Sequence, residues 1–111
     1  MIPSPRISEV QHAVSAYFGL SQVEMIARCR THAVAHPRQL AMFLARSLTA
    51  RSLPEIGRMF GGRDHSTVIH AIRAVESRMA TDADLNDAVR WLSADVAQLV
   101  AARRDVMEMA G

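Results

Sequence analysis

The chain has 111 residues, the length of one domain. Half of them are apolar and 22% are charged, a balance that excludes a disordered chain and fits a globular one. All 13 basic residues are arginine and the acids number 11, so the net charge is only +2.

The spacing of apolar residues is helical throughout, with 5% aromatics and no β-branched runs, so an all-α fold is expected. Ile7, Val10, Val14, Tyr17 and Phe18 form a one-sided stripe over residues 7–18, and Gly19 ends that helix. Ser21-Gln-Val-Glu24 is a capping box opening a short helix to about Arg28. Residues 29–36 read as irregular. Pro37 then suits the first turn of a helix to about Thr49, with Leu40, Phe43, Leu44 and Leu48 as its buried stripe. Ser52-Leu-Pro-Glu55 is a second capping box, starting a short helix from Leu53 to Phe60. Gly61-Gly62 permits a sharp turn with positive φ. Asp64 is an N-cap for a helix from His65 to about Met79, carrying Val68, Ile69, Ile72, Val75 and Met79 on one side. Thr81-Asp82 caps a last helix from about Ala83 to Met107. Met42 and Met59 read as core filler.

The small net charge hides a segregation. From Arg28 to Arg78 nine arginines face only Glu55, Asp64 and Glu76, a balance of +6. From Ala80 onward three arginines face six acids, a balance of −3. A basic middle predicts a polyanion-binding face. A single cysteine, Cys29, excludes a disulfide framework and fits a reducing cytosol. No apolar run approaches the roughly 20 residues of a membrane span, and the N-terminus lacks a signal-peptide pattern. The expected location is cytoplasmic, without membrane contact. Cys29, His32 and His36 have a zinc-like spacing, but a structural site needs a fourth ligand and only His12 is a remote candidate. No metal, cofactor or catalytic activity is expected: no glycine-rich phosphate loop, nucleophile with an orienting partner or distinctive carboxylate pair is present.

A short helix, a glycine turn and a longer helix make a helix-turn-helix, in which the first helix supports the second and the second reaches base edges in the major groove. The helix N-termini at Leu53-Pro54-Glu55 and His65-Ser66-Thr67 can each receive a phosphate oxygen. Asp64 can accept from a cytosine amine, and Ser66 or Thr67 can touch a thymine methyl or a phosphate. Taken alone, Asp64 is equally a plain cap, His65 an exposed first-turn histidine, Arg46 a helix-surface charge and Gly61-Gly62 a structural turn.

The run Ser52-Leu-Pro-Glu-Ile-Gly-Arg-Met-Phe-Gly-Gly-Arg-Asp-His-Ser-Thr-Val-Ile-His-Ala71 resembles the signature of the DNA-binding domain of the bacterial replication initiator DnaA family. The upstream run Ala33-Val-Ala-His-Pro-Arg-Gln-Leu-Ala-Met42 matches it too. The resemblance covers about Ile7 to Met79, more loosely the last helix. It implies an all-helical domain that binds the DnaA box, a short asymmetric duplex site, as a monomer. By position it implies that Arg30 enters the minor groove, that Arg46, where lysine is usual, approaches the major-groove edge, and that Pro54 touches a thymine methyl. Asp64, His65 and Ser66 would read bases and Thr67 would hold a phosphate. Arg38, Gln39, Leu53, Arg63 and His70 fall where backbone or supporting contacts are expected. Ser66 stands where threonine is usual, so discrimination there weakens by up to ~1 kcal/mol, the value of one methyl. His32 stands where arginine is usual, which implies a weaker, pH-dependent phosphate contact. The family's ATPase domain has no counterpart in these residues. The methionine start and extended tail favour a short natural protein over an initiator fragment.

The expected organisation is a single domain, a core of about 7–80 and a helical extension of about 81–107. In that extension Leu85, Val89, Leu92, Val96, Leu99 and Val106 recur at steps of three and four, interrupted at Arg103 and flanked by Trp91. This is the minimum for a coiled coil. Either the helix packs on its own domain, or it supports self-association or partner docking through residues 84–107.

Overall fold

The computed structural model describes residues 4–27 and 32–110, with the backbone alone of His32 and Ala110. The described residues form six helices and no strand: α1 (Ile7–Phe18), α2 (Gln22–Ile26), α3 (His32–Leu48), α4 (Leu53–Met59), α5 (His65–Met79) and α6 (Ala83–Ala110). The all-α expectation holds.

Local signals act where the sequence puts them. Gly19 closes α1 in the left-handed region at φ 70°. Both capping boxes form. Ser21 Oγ accepts from the Glu24 amide at 3.1 Å while Glu24 accepts from the Ser21 amide, and Ser52 and Glu55 repeat the arrangement at the start of α4. Asp82 Oδ1 accepts from the Leu85 amide at 3.0 Å and so caps α6.

Three expectations change. α3 begins at His32, five residues before Pro37, which lies inside the helix. Proline there gives up the amide bond to Ala33. Strong helix formers at Ala33 and Ala35 and the burial of Val34 and Pro37 carry the helix past it. α6 runs three residues beyond Met107. Met59 is 44% exposed, because Leu53, Ile56 and Phe60 form the inward side of the short α4; Met42 is buried as expected.

One core joins all six helices. Val10 and Val14 of α1, Met25 of α2, Leu40 and Leu44 of α3, Ile56 of α4 and Val68 and Val75 of α5 are fully buried. Phe60, the residue after α4, is also fully buried and pins the turn. Leu92, Val96 and Val100 of α6 belong to this cluster, so the long helix packs on its own domain. Beyond them Arg103 pairs with Glu9 at 3.0 Å and donates to the Ser4 carbonyl at 2.7 Å. Val106, Met107 and Met109 in the final turns are exposed.

Candidate nucleic-acid interface

The turn between α4 and α5 follows from its glycines. Gly61 and Gly62 both have positive φ, 83° and 75°, which glycine adopts without penalty. The Arg63 amide donates back to the Gly57 carbonyl at 2.8 Å, closing the turn so that α5 starts beside α4. α5 is laid most extensively across α3, and Arg78 Nη1 donates to Gln39 Oε1 at 3.0 Å to hold the pair. The first turn of α5 is left projecting from the core, with residues 64–67 all exposed.

That exposed turn is ordered by its own side chains. Ser66 Oγ donates to Asp64 Oδ2 at 2.9 Å, and His65 Nδ1 lies 3.1 Å from Asp64 Oδ1. Asp64 occupies the N-cap position as expected, but its side chain makes no capping hydrogen bond; the hydroxyl and the imidazole take its oxygens instead. The Ser66 hydroxyl, chiefly, and the neighbouring His65 hold the Asp64 carboxyl below its usual range. With Nδ1 turned to the carboxylate, His65 presents Nε2 outward. The Thr67 amide is bonded to the Asp64 carbonyl, whereas those of His65 and Ser66 have no backbone partner. The result is a compact set of donors and acceptors at the positive end of a helix.

Around this turn the remaining candidates divide. Pro54, in the first turn of α4, is exposed, as are Arg46 at the end of α3 and His70 one turn along α5. Arg46 Nη1 donates to the Arg51 carbonyl at 3.2 Å, which holds its side chain toward the start of α4. Leu53 is half-buried and packs on the core. Gln39 is half-buried and engaged by Arg78.

Arg38 and Arg63 take the supporting role rather than a surface one. Arg38 is only 5% exposed; its Nε donates to the Met25 carbonyl at 2.9 Å and its Nη2 to the Glu24 carbonyl at 3.2 Å. Arg63 is half-buried, and donates through Nη2 to the Ala27 carbonyl at 3.0 Å and through Nη1 to the Phe60 carbonyl at 2.6 Å. Both guanidinium groups thus satisfy carbonyls at the C-terminal end of α2, where a cation is also favoured by the helix dipole. They were expected near phosphates because they are arginines in a basic segment. Only the fold shows the carbonyls that claim them. Their effect is to fix where the chain leaves α2 and enters the segment that carries Arg30. Arg30 lies outside the described residues, as does the side chain of His32.

Sequence reasoning missed Gly57. A Cβ on it would stand 2.1 Å from the Arg63 carbonyl oxygen, so the close approach of α4 to the turn requires glycine there. The interval Gly57–Gly61–Gly62 held the signal, but nothing local distinguishes a packing glycine from a flexible one.

Comparisons with known proteins agree with this arrangement. A family model described as the bacterial DnaA protein helix-turn-helix matches residues 7–75. The chain is 55% identical over 84 residues to the chromosomal replication initiator protein DnaA of Sphingopyxis alaskensis, covering 76% of this chain and 18% of that protein. It is 53% identical over 76 residues to the DnaA of a Caulobacter species, covering 68% of this chain and 16% of the relative. The chain therefore spans less than a fifth of the length of these relatives. A solved structure described as a DNA replication initiation factor superposes with a TM-score of 0.76 at 29% identity, over 85% of this chain and 29% of the other.

Proposed function

This chain belongs to the bacterial DnaA helix-turn-helix family, and from that premise we propose that it binds double-stranded DNA at DnaA-box-like sites, without catalysis, in replication initiation or its control. The observation that carries this reading is the exposed Asp64–His65–Ser66 cluster at the start of α5, set beside exposed Pro54 and Arg46. A side-chain set that is mutually bonded before binding spends less entropy on ordering when a base edge arrives. His65 Nε2 and the remaining lone pairs of Asp64 suit base edges. Thr67 suits a phosphate oxygen at the helix N-terminus. Arg46, and Arg30 in its basic segment, supply the cations, Arg30 toward an A·T-rich minor groove. Arg38, Arg63 and Gln39 support these contacts from within.

Binding is tested by titrating the protein into labelled duplexes carrying an intact or a scrambled DnaA box at moderate salt. The intact box is expected to bind more tightly. His65→Ala should reduce the preference by about 1–3 kcal/mol while leaving scrambled-duplex binding nearly unchanged. Equal, weak binding of both duplexes by the unaltered protein would overturn the reading; equal losses on both duplexes for His65→Ala would reduce His65 to a phosphate contact.

A further inference from the structure

α1 and α4 meet along an open cleft of about 400 Å³ that the base-reading surface does not use. Arg6 and Ser8 line it from the start of α1, and Arg51, Glu55 and Arg58 from α4 and its approach. A smaller cleft of about 230 Å³ shares Arg6 and Arg51 and continues past Ser4. The floor is firm. Ile7 is buried, and Gln11 Nε2 donates to the Met59 carbonyl at 2.7 Å, tying α1 to the end of α4.

The carboxylates nearby are already engaged. Glu55 accepts from the Ser52 amide and hydroxyl and pairs with Arg51 at 3.3 Å. Glu9, behind Arg6, is held by Arg103 through bonds of 3.0 and 3.2 Å. Arg58 is exposed and makes no hydrogen bond or ion pair among the described residues. The cleft therefore presents guanidinium groups and a hydroxyl toward solvent. It has no aromatic ring in its lining on which a base could stack. Guanidinium and hydroxyl donors in an open groove suit phosphate oxygens.

The position of the cleft selects the source of that phosphate. In a helix-turn-helix the first helix crosses the DNA backbone. Arg51 directly precedes the N-terminus of α4, and Pro54 and Arg58, four residues apart, share one side of that helix. A strand passing Pro54 would next meet Arg58 and, across the cleft, Arg6. We propose that the cleft between α1 and α4 holds backbone phosphates of DNA flanking the sequence read by α5, through Arg58 and Arg6. This deepens the DNA-binding reading above and rests on it.

The test compares two duplexes with the same box, one trimmed to the base pairs under α4 and α5, the other extended by one helical turn, about 10 base pairs, on each side. Arg58→Gln and the Arg6→Gln/Arg58→Gln double variant are measured beside the unaltered protein; Arg58 has no intramolecular partner to lose, and circular dichroism verifies the fold of both. Each lost contact should make the salt slope shallower by about 0.9, which at about 0.15 M salt weakens binding of the extended duplex about fivefold for one arginine and about thirtyfold for two. Binding of the trimmed duplex should not change. Unchanged binding of the extended duplex by the variants, with box preference intact, would overturn this inference alone. Loss of box preference with the arginine effect persisting on an extended scrambled duplex would support the cleft and overturn only the sequence-specific reading. Saturation of the cleft by inorganic pyrophosphate, followed by NMR shifts of α1 and α4, with no dependence on duplex length, would overturn it in favour of a free-anion site. Failure of the unaltered protein to bind any duplex would overturn both.

Discussion

Arg38 and Arg63 show how far an arginine's role depends on its neighbours. Each donates to carbonyls of α2 or the turn, and Arg38 does so from a buried position. A buried carbonyl that loses its charged donor costs more than an exposed one, because water cannot replace the bond. Arg38→Met should therefore lower stability by about 1.5–3 kcal/mol in urea unfolding. The salt slope of DNA binding by the folded variant should match that of the unaltered protein. A shallower slope with stability intact would instead make Arg38 a phosphate contact. Asp64 is the opposite case: fully exposed, its carboxyl is held low by the Ser66 hydroxyl and His65, and its contribution lies in presenting a fixed pair of side chains rather than in stability.

At the scale of elements, three glycines shape one turn for different reasons. Gly57 sits inside α4 with ordinary backbone angles but lacks room for a methyl group, since its Cβ would meet backbone at 2.1 Å. Gly62 has room but a φ of 75°. Gly61 has the positive φ, and a Cβ on it would stand 2.4 Å from the Ile26 carbonyl oxygen. The expected order of damage follows. Gly62→Ala costs about 1–2 kcal/mol of left-handed strain, and Gly62→Asn less, because asparagine tolerates that region. Gly57→Ala must also move α5 relative to α4, so its cost should lie at or beyond the upper end of overpacking, about 3 kcal/mol. Thermal melts rank the variants, and equal losses for Gly57→Ala and Gly62→Ala would contradict the close approach. Because α5 moves with the turn, Gly57→Ala should also weaken box preference where Gly62→Asn does not.

For the molecule as a whole, α6 decides what can be removed. Leu92, Val96 and Val100 are part of the common core, and each fully buried side chain of this kind stabilises by about 1.5–3 kcal/mol. Ending the chain before Leu92 forfeits an amount comparable with the total stability of a small domain, about 5–15 kcal/mol, so that truncation should leave an unfolded chain by circular dichroism. Ending it after Arg104 removes only exposed turns and should change stability by about 0.5 kcal/mol or less. The Glu9–Arg103 pair fastens the far end of α6 to the start of α1, with side chains only 14% and 17% exposed. Although burial opposes ionisation of Glu9, the Arg103 bond, together with the Arg6 amide and the charges of Arg103 and Arg6, holds its carboxyl below the usual value. The unfolded chain therefore binds that proton more readily. The stability from the pair is present above about pH 4.3, the ordinary glutamate value, and is lost as pH falls through the lower folded value. Melts from pH 7 to 3 should show this loss, and Glu9→Gln, expected to cost about 1–2 kcal/mol at pH 7, should flatten it.

The sequence by itself determined the elements and the exposed end of the recognition helix. Apolar spacing, two capping boxes and paired glycines act within a few residues, so α1, α2, α4 and α5 begin and end close to where those signals stand. The polar run from Asp64 to Thr67 was legible for the same reason: the first turn of a helix after a glycine turn projects into solvent. Only the tertiary structure decided what spans longer separations. It assigned Arg38 and Arg63 to carbonyls 13 to 36 residues away, and it carried α3 through Pro37, whose burial a helix pattern does not encode. It turned the heptad-like stripe of α6 inward against α1 through a pair 94 residues apart. It also made Gly57 indispensable by bringing another backbone against it. In each case the deciding energy is burial or a hydrogen bond to a partner that sequence spacing does not name.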